Sequence, residues 1–198
     1  MADQVSDPCD TTTHAPAWRK TVASAAAMFS LALLASGCGA PKINYAIPSS
    51  LCDIPVSRDL LRPLFPPGDR IEFDGDSFPD DGKATSFCQY YVDGNAALSV
   101  EARRSSENGT AEERVRRFAS HAHLKFWARP DGHTAGYSGS AFGTSRCSGT
   151  PSDSHGQPAR TFALEISVNH FTSTNELRPR LEKIMDTLLP KAAHARGC

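Results

Sequence analysis

Sulfur is the most reactive chemistry available to this 198-residue chain, and it stands at Cys9, Cys38, Cys52, Cys88, Cys147 and Cys198. A thiol can accept a lipid as a nucleophile, form half of a disulfide, or ligate a metal, and its surroundings decide which. No two of these cysteines have the short C-x-x-C spacing of a zinc site, which makes metal ligation the weakest of the three. The histidines add little. His121 and His123 are two residues apart, which on a helix turns them about 200° from each other and prevents them from chelating one ion. Asp74-Gly75-Asp76 opens like a calcium loop, but Phe78 and Pro79 occupy positions where that loop needs an oxygen ligand and a glycine. His170 follows the apolar face of a strand and reads as a packed residue. Arg114, Arg116 and Arg117 read as the solvated side of a helix. No G-x-S-x-G element marks a nucleophile. The expectation is therefore a non-enzymatic chain with no catalytic residue, no cofactor and no metal ligand.

Cys38 has the most specific surroundings. The basic pair Arg19-Lys20 precedes an apolar stretch, Val22–Leu34, and the small residues Ala35-Ser36-Gly37 follow it. That is the order of a signal peptide, and the run is short for a spanning helix, which needs about 20 residues. Leu34-Ala35-Ser36-Gly37-Cys38 resembles a bacterial lipobox, departing from the commonest form only at Ala35, where leucine is more usual. Small residues let an intramembrane peptidase approach the backbone, and the thiolate of Cys38 accepts a diacylglyceryl group as a thioether. Two acyl chains at about 0.8 kcal/mol per buried methylene make an anchor that is effectively permanent. Residues 1–37 are thus expected to be a removable signal peptide, Cys38 the lipidated first residue of the mature chain, and residues 38–51 a linker. The protein is then extracytoplasmic, tethered to the outer face of the cell membrane. The leader before Arg19 is long and contains Asp3, Asp7 and Asp10. Either export tolerates it or translation starts downstream at a codon other than Met.

Export sets the expectation for the remaining thiols. Cys9 leaves with the leader, and Cys52, Cys88, Cys147 and Cys198 enter an oxidising compartment, where an even number of cysteines reads as disulfides. Four cysteines allow three connectivities. The favoured pairing is Cys52–Cys88 with Cys147–Cys198, because each bond ties a segment of weak secondary structure to a neighbouring strand. Loops of this size stabilise by roughly 4 kcal/mol each in the chain-entropy model.

Removing 1–37 leaves 161 residues, with 19 basic and 19 acidic side chains. A neutral chain of this size has room for one core and lacks the electrostatic footprint of a nucleic-acid binder. Ser57 could cap a short helix, Arg58–Leu64, stopped by Pro66-Pro67-Gly68. Asp69–Asp81 reads as an acidic loop. Ala84–Val92 and Ala96–Arg103 alternate as strands around Asp93-Gly94, a tight-hairpin dipeptide. Thr110 and Glu113 form a capping box for a helix whose stripe is Val115, Phe118, Ala119, Ala122 and Phe126, ended by Pro130. A weaker strand is expected near Ala141–Cys147, and the strongest over Arg160–Phe171, where Phe162, Leu164, Ile166 and Val168 alternate with polar residues. A last helix is predicted from about Asn175 to Leu189, with Leu177, Leu181, Ile184 and Leu188 on one face and Pro179 near its start. Amphipathic helices and an antiparallel sheet make one disulfide-stapled α+β domain over 52–198, with two helices packed on the sheet. Asn108-Gly109-Thr110 matches a glycosylation acceptor, but Thr110 is already used as a cap.

The mature chain resembles small actinobacterial lipoproteins that contain a domain of unknown function. Cys38 in its lipobox, Leu51-Cys52-Asp53-Ile54-Pro55-Val56, Phe87-Cys88-Gln89-Tyr90 and Gly197-Cys198 carry the resemblance. It implies a cell-envelope lipoprotein with paired cysteines and no assigned reaction. The partners expected are the membrane, through the diacylglyceryl cysteine, and an envelope protein or glycan, with no nucleic acid. The alternative is a carrier of a small apolar ligand or lipid, suggested by Phe118, Phe126, Trp127 and Phe162.

Overall fold

The Asp93-Gly94 hairpin lies at the heart of the sheet. In the computed structural model, which describes residues 42–79, 82–149, 151–170 and 174–198, β4 (Thr85–Val92) and β5 (Asn95–Ser105) pair across it. Both turn residues have positive φ, 50° and 79°, as this two-residue turn demands. Residues 1–37, expected to be a signal peptide, lie outside the described residues together with Cys38.

The strands β3 (Ile71–Gly75), β6 (Phe126–Ala128), β7 (Thr134–Tyr137), β8 (Ser140–Arg146) and β9 (Thr161–Val168) complete an antiparallel sheet ordered β3-β4-β5-β9-β8-β7-β6. Leu98, Val100 and Ala102 stand opposite Val168, Ile166 and Leu164, so the two strongest alternations of the sequence share one face. A second hairpin, β1 (Ser50–Leu51) with β2 (Ile54–Pro55), turns at Cys52-Asp53. Three helices accompany the strands: α1 (Arg58–Leu61), α2 (Ala111–Ala122) and α3 (Thr174–Ala195). Gly39–Cys198 forms one compact α+β unit.

The apolar face of the sheet is filled from two sides. Leu177, Leu181, Ile184, Met185 and Leu188 of α3 are buried against Phe162, Leu164 and Ile166. Ile47, Leu51, Leu61, Leu64 and Phe65 cover the β4 end beside Cys88 and Tyr90. Ile47 and Leu51, expected in a linker, are therefore core residues. At the end of α3 the buried guanidinium of Arg196 donates to the Phe78 carbonyl at 3.3 Å, to Ser86 Oγ at 2.7 Å and to the Lys83 carbonyl. Burial lowers its pKa, against the pull of Asp76.

Several boundaries differ from expectation. The acidic segment is not all loop, since Ile71–Gly75 pairs with β4 as an edge strand, where outward Glu72 and Asp74 remain in water. The helix α2 ends at Ala122, with His123 left-handed at φ 53°, well before Pro130. Phe126 consequently belongs to β6, and Trp127 gains burial above Gly136, where any Cβ would collide with the indole. The last helix passes through Pro190, although an interior proline costs about 3 kcal/mol. Ala192, Ala193 and Arg196 are buried beyond it, which offsets that cost. Pro179 likewise lies inside the helix rather than at its start.

Candidate functional site

Strand alternation puts polar residues on the face of the sheet away from α3. From β5 come Ser99, Glu101 and Arg103, from β9 Glu165 and Ser167, and from β8 Ser140, Thr144 and Arg146, with the apolar Phe142 among them. The helix α2 covers only the β6–β8 end, burying Ala111 and Val115 against Ala135, with Tyr137 and Phe142 partly covered. Its start follows the capping box: Thr110 N–H donates to Glu113 Oε2 at 2.9 Å, and Glu113 N–H to Thr110 Oγ1 at 3.2 Å.

Uncovered strands leave charges close together. Arg103 pairs with Glu101 at 2.6 Å. Burial, and then the charge of Glu101, raises the Glu165 carboxyl above its ordinary value. Glu165 Oε1 accepts from Ser167 Oγ at 3.3 Å, and Ser167 Oγ lies 2.8 Å from Ser140 Oγ. Arg114, expected on the solvated side of α2, is instead half-buried against this face. Burial, then repulsion from Arg103, lowers its pKa, with Glu107 opposing. Arg116 and Arg117 are exposed as expected.

Beside this patch a cleft of about 610 Å³ opens at the N-terminus of α2, walled by Thr110, His133, Thr144, Arg146, Arg160 and Thr161. Ala159 also lines it, at the end of the 151–159 segment, which Asp153 holds in shape by accepting N–H bonds from Ser106 at 3.3 Å, His155 at 2.8 Å and Gln157 at 2.9 Å. These bonds, those from Ser106 first, pull its carboxyl down to about 2. Sequence reasoning missed Thr144, Arg146, Arg160 and Asp153. The only available signal was Ser and Asp next to Gly and Pro in 148–158, which marks a shaped loop without saying what it faces.

The predicted cysteines pair as favoured. Cys52 and Cys88 are bonded with Cα atoms 5.9 Å apart, and Cys147 and Cys198 with Cα atoms 4.0 Å apart. The first fastens the β1–β2 turn, where Cys52 has a φ of 48°, to the centre of β4. The second joins Cys147, the residue after β8 in the cleft wall, to Cys198, three residues beyond α3.

The other candidates stay apart. His121 and His123 are exposed on the far end of α2, with His121 Nδ1 2.7 Å from the Arg117 carbonyl. Asp76 is engaged by Lys83 and the Phe87 N–H, which lower its pKa. His170 is partly buried, which lowers its pKa. Among the described residues no group of three or more His, Cys, Asp or Glu could hold a metal ion. The four aromatics do not line one space. Phe162 is in the core and Trp127 faces α3, capped by Arg178 at 5.0 Å, while Phe118 and Phe126 are exposed on the α2 side. No described helix is long and apolar enough to cross a membrane. Comparison with family models, curated proteins and solved structures found no match.

Proposed function

We propose that this chain is an extracytoplasmic lipoprotein of the actinobacterial type, anchored through a diacylglyceryl group on Cys38, and that its domain is a non-enzymatic module that binds an envelope protein or glycan. The anchor rests on the lipobox and the signal-like residues before it. The binding role rests on one structural observation: the face of the sheet away from α3 carries Glu101, Arg103, Glu165 and an adjoining cleft, with α2 covering only one end. In this reading α3 is the structural cover and α2 a partial one. Burying the charges of the open face costs free energy unless they meet complementary groups, which suits recognition of a polar partner.

Anchor and binding role have separate tests. Cys38→Ala is expected to abolish incorporation of a fatty-acid analogue and release the protein from the membrane; equal labelling of variant and parent rejects the site. For the module, a photo-crosslinking residue at Gln89 on the open face should yield specific adducts in intact cells. The same residue at Lys183, on the exposed side of α3, should not. Equal yields from the two positions would sink the assignment.

A further inference from the structure

The cleft at the N-terminus of α2 holds more positive charge and more unused hydrogen-bonding capacity than the fold requires. Arg146 and Arg160 line it, and Glu113 is the acid among its lining residues. The Glu113 carboxylate is already committed to the Thr110 N–H. Arg114 lies outside the cleft, in a separate small cavity with Glu101, Arg103 and Glu165, although a Cβ placed on Gly109 would stand 4.0 Å from its Nε. That Nε is buried and has no hydrogen-bond partner. Arg103, the next cation along the face, is taken up by Glu101 at 2.6 Å. In the wall of the cleft Thr144 is only 4% exposed, and its hydroxyl also lacks a partner.

Unpaired buried donors are unfavourable in the free protein, because each has lost water without gaining a substitute. The backbone of α2 offers little relief. The Glu112 N–H already donates to the Gly132 carbonyl at 3.2 Å and the Glu113 N–H to Thr110 Oγ1. Recognition here must therefore come from side chains rather than from a bare helix end. A guanidinium fork matches the paired oxygens of a carboxylate or phosphate, and a hydroxyl adds a neutral donor.

We propose that this cleft binds the anionic group of a polar ligand, a phosphate or a carboxylate, held by Arg146 and Arg160 with the Thr144 hydroxyl as a third donor. The inference deepens the partner-binding reading and rests on it, since it names the group by which the partner is recognised. Chemistry of this kind tolerates either anion, so the source is left to the measurement.

The test is an amide-resolved NMR titration of the purified full chain in a non-ionic detergent. Inorganic phosphate and succinate are added separately, with chloride at matched ionic strength as the control. Saturable shifts at Gly109, Thr110 and Thr144 are expected with at least one of the two anions, and which one saturates identifies the ligand's group. Arg160→Gln should weaken that binding by about tenfold or more. Arg146→Gln, likewise an exposed change that leaves the core untouched, should weaken it severalfold, whereas Arg114→Gln, outside the cleft, should leave it unchanged. Chloride-like behaviour of both anions, saturable shifts confined to another part of the molecule, or unchanged affinity in the folded Arg146→Gln and Arg160→Gln variants would overturn the proposal. Anion binding with no crosslinked partner in cells would instead count against the partner-binding role alone.

Discussion

The two faces of the seven-stranded sheet are made by the same strands, often by adjacent residues, yet they behave as different materials. On the α3 side, Leu98, Val100, Ala102, Phe162, Leu164 and Ile166 are at most 2% exposed, and helix and N-terminal segment interlock over them. On the other side, a one-residue step along each strand meets Glu101, Arg103, Glu165 and Ser167, with one short helix covering one end. The first face carries stability through dense packing and the second keeps charges within reach of water and of other molecules. Period-2 alternation alone produces this division, so a strand can serve the core and a recognition surface at once.

The sharpest way to break the comparison is to remove one ring from each side. Phe162→Ala, which empties a fully buried site beneath α3, is expected to cost about 3–5 kcal/mol in denaturant unfolding. Phe142→Ala, on the partly covered face, should cost less than half as much. Similar losses for the two would mean that the α2 side is as much a core as the α3 side.

A smaller effect is expected from the staple between the faces. Replacing Cys147 and Cys198 by serine opens a loop of 51 residues and should cost roughly 2–4 kcal/mol. Hydrogen exchange should show the loss first in the last turns of α3, beyond Pro190, because the bond and Arg196 hold that segment to the sheet. Unchanged protection there would assign the tie to Arg196 alone.

The smallest expected effect concerns the charge on the open face. The Glu165 carboxyl is held above its ordinary value, so on raising the pH the unfolded chain releases this proton before the folded one does. Across that window the folded state loses relative stability, and the penalty is fully present above the folded pKa and absent below the unfolded value. Glu165→Gln should therefore raise the melting temperature at neutral pH and leave it unchanged near about pH 3. A gain of equal size at both pH values would place the effect in packing instead of ionisation.

Much of this architecture was legible in local pattern. The hairpin at Asp93-Gly94, the capping box at Thr110, the stripe Leu177, Leu181, Ile184, Leu188 and the alternation from Phe162 to Val168 each report a period or a turn that neighbouring residues specify by themselves. The favoured disulfide pairing followed from the same elements, since it joined weak segments to strong ones. The short strands were not legible. Ile71–Gly75 alternates over only four residues within an acidic, Pro/Gly-containing segment and Thr134–Tyr137 has little apolar alternation, and they are strands because a partner strand supplies hydrogen bonds that no local window contains. Phe126 fitted the period of α2 equally well as an end of helix, until burial of Trp127 over Gly136 drew that segment into the sheet. Pro190 signalled a stop that the buried Ala192 and Ala193 override.

The candidate site divides along the same line. By itself the sequence singled out the cysteines: Cys38, expected to be lipidated from its lipobox-like neighbours, and four others whose expected pairing the fold shows. Tertiary structure alone decided that Thr110, Arg146 and Thr144 border one cleft, because they come from a helix start and a strand on different sides of the 123–139 segment. Side-chain types and periods are properties of short windows, and the sequence displays them directly. Convergence of charges depends on strand register and helix docking, which arise only when distant segments pack.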